Sequence, residues 1–186
     1  MTAKRTLYIP CGGRSQRMGR DKALLEFEGK PLLERQYERS KSYFNEVVLL
    51  SGTHNYQTHL RQLPDALPDA GPLGGLLAAL QEHTGVGNTY IALIPVDVPK
   101  LSNETLKWLA YTVPEDDTDA IVIRSGEIIQ PLAGLYRSTL AGRLSNFLGR
   151  GERRVMRFLK ELSHTYVEVS PGAMENINTP EDFKRL

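Results

Sequence analysis

The chain is short of several things, and each shortage removes a class of function. It has one cysteine, Cys11, among 186 residues, so no disulfide can form within it and a reducing compartment fits best. Net charge is nearly absent: 23 Lys+Arg against 22 Asp+Glu leave +1. So even a balance gives no general electrostatic grip on nucleic acid or on an anionic membrane. Long apolar runs are also missing. "VVLL" (Val47 to Leu50) and "YIALIPV" (Tyr90 to Val96) fall far below membrane-spanning length, and Leu7 to Cys11 is too short for the core of a signal peptide. The histidines His54, His59, His83 and His164 show no metal-ligand spacing. The expectation is a cytoplasmic protein with no nucleic-acid or membrane partner, of a size that suits one domain spanning residues 1–186.

What is present is an alternation of short apolar runs with longer mixed segments. "TLYIPC" (Thr6 to Cys11), "EVVLLSG" (Glu46 to Gly52), "NTYIALIPVDV", "DAIVIRS" (Asp119 to Ser125) and "HTYVEVS" (His164 to Ser170) read as strands. A further short strand is expected around Leu132 to Tyr136. Between them, "PLLERQYERSKSYF", "GPLGGLLAALQEH", "SNETLKWLAYT" and "STLAGRLSNFLGRG" read as helices, with "TPEDFKRL" as a last one capped by Thr179. Strands without polar alternation are covered on both faces. The pattern predicts an α/β fold: one doubly wound, mainly parallel sheet with helices on both faces. In such sheets ligands settle at the carboxyl ends of the strands, so the residues just after each apolar run carry the functional question.

After the first run comes "CGGRSQRMGRDK" (Cys11 to Lys22), with adjacent glycines and then Arg14, Arg17, Arg20 and Lys22. Glycines let backbone N–H groups approach a phosphate closely, and Arg and Lys supply the counter-charge. The glycines alone would read as a tight turn with a solvated basic face. Arg17, Gly19 and Lys22 in the same loop favour a phosphate cradle. It is neither a P-loop nor a dinucleotide fingerprint, since both spacings are absent. "LIPVDVP" sets Asp97 at the end of another apolar strand. An aspartate there is a turn residue or a ligand for a divalent cation. Beside a phosphate cradle, the cation reading is favoured.

"CGGRSQRMGRDKALLEFEGKPLLE" resembles the signature of the small nucleotidyltransferases, which have a Rossmann-like fold. Within that superfamily the chain most resembles the molybdenum cofactor guanylyltransferases. The later segments "GPLGGLLAAL", "IPVDVPKLS", "QPLAGLY", "GERRVMRFL" and "NINTPEDF" follow in the same order. Gly12-Gly13 resembles the guanylyl branch, where the cytidylyl branch carries Ala-Ala. Pro10-Cys11 and Val96 depart from the usual Leu-Ala and Cys. The resemblance implies Mg²⁺-dependent transfer of GMP from GTP to the terminal phosphate of molybdopterin or the molybdenum cofactor, releasing pyrophosphate. It also brings in cofactor-handling proteins as partners.

The roles it implies are these. Arg17, Lys22 and Asp97 are catalytic, and Asp97 holds the metal. Cys11, Gly12, Gly13, Lys22, Thr53 and Asp97 bind nucleotide, although the Cys11 side chain itself reads as buried and inert. A carboxylate that accepts from guanine N1–H and N2–H₂ falls by spacing on Asp65, with Asp69 as its rival; one of them must be a plain turn residue. Gly71, Gly75, Arg154, Asn176 and Asn178 lie on the acceptor side, with Arg153 and Arg157 competing with Arg154 as the anchor. Two rivals remain open: a cytidylyl- or sugar-nucleotide transferase with the same loop, and a non-catalytic nucleotide-binding protein.

Overall fold

A computed structural model describes residues 5–11, 21–87, 89–170 and 173. In chain order the strands and helices are β1 (Thr6–Pro10), β2 (Glu26–Phe27), β3 (Lys30–Pro31), α1 (Leu32–Ser40), β4 (Glu46–Gly52), β5 (Gln62–Pro64), α2 (Pro72–Glu82), β6 (Tyr90–Leu93), α3 (Asn103–Tyr111), β7 (Ala120–Ser125), β8 (Ile128–Arg137), α4 (Ala141–Gly149), α5 (Val155–Lys160) and β9 (His164–Glu168). Single 3-10 turns at Lys22–Leu24 and Ser138–Leu140 precede β2 and α4.

Seven strands form one sheet in the order β5-β4-β1-β6-β8-β7-β9. β1 is parallel to both β4 and β6, so their carboxyl ends share one edge. The alternating side chains build a layer on each face. Leu7, Ile9, Val47 and Leu49 pack with Leu32 and Leu33 of α1 and Leu106 and Leu109 of α3. Tyr8, Val48 and Leu50 pack with Leu73, Leu76 and Leu80 of α2, with Phe147 of α4 and with Phe158 of α5. Such continuous apolar strands are what a sheet covered on both sides requires. Among the described residues no helix is long and apolar enough to cross a membrane.

The expected short strand near Leu132–Tyr136 is a ten-residue strand, β8, antiparallel to both β6 and β7. It forms a hairpin with β7 and brings the chain back between β6 and β7. Its register against β7 slips between Val122 and Ile123, and there Gly134, at φ +152°, lets the strands meet: a Cβ on it would lie 2.1 Å from the Ile121 carbonyl oxygen. "NTYIALIPVDV" forms a regular strand only to Leu93. Pro95 has no N–H to give, yet Ile94 and Val96 still donate to Tyr8 O and Pro10 O at 3.1 and 3.2 Å. The loop carrying Asp97 is therefore tied to the end of β1. Ser102 caps α3, its Oγ accepting from Thr105 N–H. α1 stops at Ser40, earlier than the sequence pattern suggested, and starts after Pro31. The expected helix "TPEDFKRL" lies outside the described residues.

Candidate active site

β1 is followed by Cys11, whose N–H donates to Leu50 O at 3.0 Å and so aligns the ends of β1 and β4. Its thiol is buried, donates to Ile9 O and is pushed well above its usual pKa, first by burial and then by the nearby Asp21 and Asp97 carboxylates. It is inert, as expected. Gly12, Gly13 and Arg17 lie outside the described residues, and the chain is described again from Asp21.

Asp21 caps the 3-10 turn, accepting from Ala23 N–H at 3.0 Å. That turn begins at Lys22, and Lys22 Nζ lies 3.2 Å from Asp97 Oδ2. Both side chains are mostly covered, at 20% and 18% exposure. The first and third parallel apolar runs thus deliver one ammonium and one carboxylate to the same point of the sheet edge. The Asp97 loop is fixed from the α1 side. Gln36 is 1% exposed, and its amide donates to Pro95 O at 3.2 Å and Val98 O at 3.4 Å, on either side of Asp97. Arg39 donates to Pro99 O and Leu101 O.

On the other flank, Ser51 is buried and Thr53 is exposed on the turn after β4. Asp65 follows β5, and its N–H donates to Gly52 O at 3.2 Å. Its carboxyl lies against the start of α2. A Cβ on Gly74 would come 3.0 Å from Asp65 Oδ2 and 2.9 Å from Leu67 O, and one on Gly75 would be 3.3 Å from Asp65 Oδ1. Burial raises the Asp65 pKa. Asp69 is exposed on the next turn at φ +56°. Asp65 is partly buried and anchored to the end of β4, whereas Asp69 is exposed. Gly75, expected on the acceptor side, is buried between Asp65 and Leu50, so its contact is with the Asp65 flank. Gly71 is exposed at φ +59°, directly before α2.

Arg154 begins α5 with 75% of its side chain exposed and only a 3.9 Å approach to Glu152. Its neighbours are committed elsewhere: Arg153 donates to Leu148 O and Glu152 O, and Arg157 to Glu152 Oε1. Of the three, Arg154 is the most available. Asn176 and Asn178 lie outside the described residues.

Sequence reasoning missed Tyr56, Asp21, Gln62 and Gln36. Tyr56 is a buried aromatic whose hydroxyl donates to Asp21 Oδ2 at 2.9 Å, with Cys11 O at 3.3 Å. The one available signal was an aromatic standing alone in the polar stretch "GTHNYQTHLRQ".

Among the described residues no group of three or more His, Cys, Asp or Glu is arranged to hold a metal ion. The Asp97 carboxylate alone is a poor site for Zn²⁺, which takes several nitrogen or sulfur ligands. It does fit Mg²⁺, which binds one or two carboxylates and completes its shell with water and substrate phosphate oxygens.

Comparisons with known proteins identify the family and the fold. The MobA-like NTP transferase domain model matches residues 7–165. The chain is 34% identical over 186 residues to a molybdenum cofactor guanylyltransferase of Vibrio atlanticus, covering 96% of this chain and 93% of that one. Among solved structures, molybdopterin-guanine dinucleotide biosynthesis protein A from Archaeoglobus fulgidus superposes with a TM-score of 0.78 at 22% identity, over 97% of this chain and 95% of that one. A 2-C-methyl-D-erythritol 4-phosphate cytidylyltransferase from Thermus thermophilus gives 0.71 at 15% identity, over 98% and 96%. The fold is therefore common to transferases of different bases.

Proposed function

The chain belongs to the MobA-like NTP transferase family, and we propose that it transfers GMP from GTP to the terminal phosphate of molybdopterin, releasing pyrophosphate. The observation that carries the reading is the Lys22–Asp97 pair at the carboxyl edge of β1 and β6. A cation for phosphate oxygens and a carboxylate for a hard metal ion meet where an open α/β sheet binds its ligands.

In this mechanism the protein mostly positions charge. Lys22 neutralises Asp97 before substrate enters. The triphosphate is the more highly charged partner, so Nζ transfers to its oxygens, together with Arg17 and the Gly12 and Gly13 amides. The Asp97 carboxylate would then hold Mg²⁺, which would supply charge neutralisation to the phosphates. Asp65 reads guanine by accepting from N1–H and N2–H₂, and Gly74 and Gly75 leave it the room to do so. Arg154, with Gly71, Asn176 and Asn178, takes the acceptor phosphate. That phosphate is already ionised at neutral pH, so no side chain has to act as a general base.

The test is calorimetric binding of GTP, CTP, ATP and UTP with Mg²⁺ present, followed by pyrophosphate release on adding molybdopterin. A GTP preference with turnover supports the proposal. A CTP or UTP preference overturns the guanine assignment, and GTP binding without turnover in the parent protein favours a non-catalytic binder.

A further inference from the structure

Tyr56 has no assigned role, yet it joins three parts of the site. Its backbone is gripped on both sides by the Gln62 amide: Tyr56 N–H donates to Oε1 and Nε2 donates to Tyr56 O, each at 2.8 Å. Gln62 belongs to β5, in register with Leu49 of β4. The tyrosine is thereby fixed to the sheet, and its ring is buried in the core cluster beneath α1.

From that fixed point the hydroxyl reaches Cys11 O, directly after β1, at 3.3 Å and Asp21 Oδ2, at the cap of the 3-10 turn, at 2.9 Å. A hydroxyl has one proton to give, and the shorter bond to the carboxylate takes it. Burial holds the Tyr56 phenol above its usual pKa, so that proton stays in place. His54 stacks on the ring at 5.7 Å between centroids, and its Nε2 is 3.8 Å from Asp21 Oδ2. The other oxygen of Asp21 accepts from Ala23 N–H and orients the turn whose first residue is Lys22. Directed bonds run from β5 through Gln62 and Tyr56 to Asp21, and Asp21 in turn holds Ala23 N–H in the turn whose first residue, Lys22, pairs with Asp97.

We propose that Tyr56 is a positioning residue for the transfer reaction: its hydroxyl orients Asp21 and so aims Lys22 at the phosphates. The proposal rests on the nucleotidyltransferase reading above. Tyr56→Phe keeps the ring and its packing and removes only the clasp.

The experiment is the affinity for inorganic pyrophosphate with Mg²⁺, by calorimetry, of the parent, Tyr56→Phe, Lys22→Met and the double variant, with thermal midpoints taken on the same samples. The expected result is a loss of about fivefold or more on Tyr56→Phe in the parent background and less than about twofold in the Lys22→Met background, the coupling of residues that share one network. A hydroxyl that only stabilises the fold lowers the thermal midpoint in both backgrounds and leaves no difference between the two affinity ratios. That result, or no loss in the parent background, overturns the proposal. If circular dichroism shows Tyr56→Phe unfolded, Asp21→Asn takes its place in the same cycle under the same criteria. A parent that binds neither pyrophosphate nor GTP removes the reading and the proposal together. A parent that binds, with Tyr56→Phe equal to it, removes the proposal alone.

Discussion

The β1–β4–β5 flank of the sheet and the α4–α5 segment both carry charged side chains, and they hold them in opposite ways. On the first flank Asp21, Lys22 and Asp97 are mostly covered and bonded to one another or to buried amides and hydroxyls. Around α4 and α5 most arginines are exposed at the guanidinium end, and several pair with carboxylates there, as in Arg150–Glu161 and Arg157–Glu152. Covered groups in a bonded network lose little freedom when ligand arrives and act at full strength in a drier setting. Exposed pairs are screened and each contributes little. On the proposed function, the contrast would give a site pre-built for the triphosphate and more adaptable toward the acceptor.

The sharpest way to break that contrast is Asp97→Ala. It should cut turnover about a thousandfold, in line with the loss of several kcal/mol of charge stabilisation at the phosphates. Steady-state pyrophosphate release checks this. GTP binding measured without divalent metal should be retained, since the Asp97 carboxylate no longer competes with the triphosphate for Lys22. Retained turnover would remove Asp97 from the chemistry.

Asp65→Asn tests the same flank one step from the reacting phosphates. Its amide presents a donor where guanine also donates, so the preference for GTP over ATP should fall about tenfold to a hundredfold, the range expected for hydrogen bonds to a charged group. Asp69→Asn should leave it unchanged. The pH dependence follows from burial, which raises the Asp65 pKa. Guanine reading needs the carboxylate, so the preference should fade on acidification at a higher pH than for an ordinary aspartate. Stability runs the other way: the folded state holds this proton more tightly than the unfolded chain. Its contribution is therefore present at low pH and is lost as pH rises through the folded pKa. Asp65→Asn should abolish both effects, and base-preference titrations with thermal melts at several pH values would check them.

The legibility of the sequence divides along similar lines. The covered strands were readable because each is a local apolar run, and Lys22 and Asp97 were singled out because each stands in a short contiguous motif. β8 was read too short because Gln130 and Pro131 interrupt its apolar run, and its antiparallel direction depends on the hairpin at Gly126. The two-residue strands β2 and β3 show no periodicity, and only the left-handed pair Glu28 and Gly29 at their turn marks them. The clasp was not readable at all: Tyr56 and Asp21 stand 35 residues apart, and Gln36 and Pro95 stand 59 apart. Nothing local links a buried polar side chain to the distant loop that it holds.

The smallest expected effect belongs to the exposed side, and it decides whether that side takes part at all. Arg154→Ala removes a mostly exposed side chain whose ion pair with Glu152 is long, at 3.9 Å, so the thermal midpoint should move by less than about 2 °C, as for most surface changes in a chain of this size. GTP affinity should not change. If Arg154 anchors the acceptor phosphate, KM for molybdopterin should rise several-fold, to about tenfold, and the rise should shrink with added salt because the contact is exposed. Arg153→Ala serves as the control, since that guanidinium is committed to Leu148 O and Glu152 O; it should cost stability rather than acceptor affinity. Equal KM for the parent and Arg154→Ala would remove α5 from the acceptor site. The acceptor-binding residues would then have to be sought closer to Asp97 and Lys22.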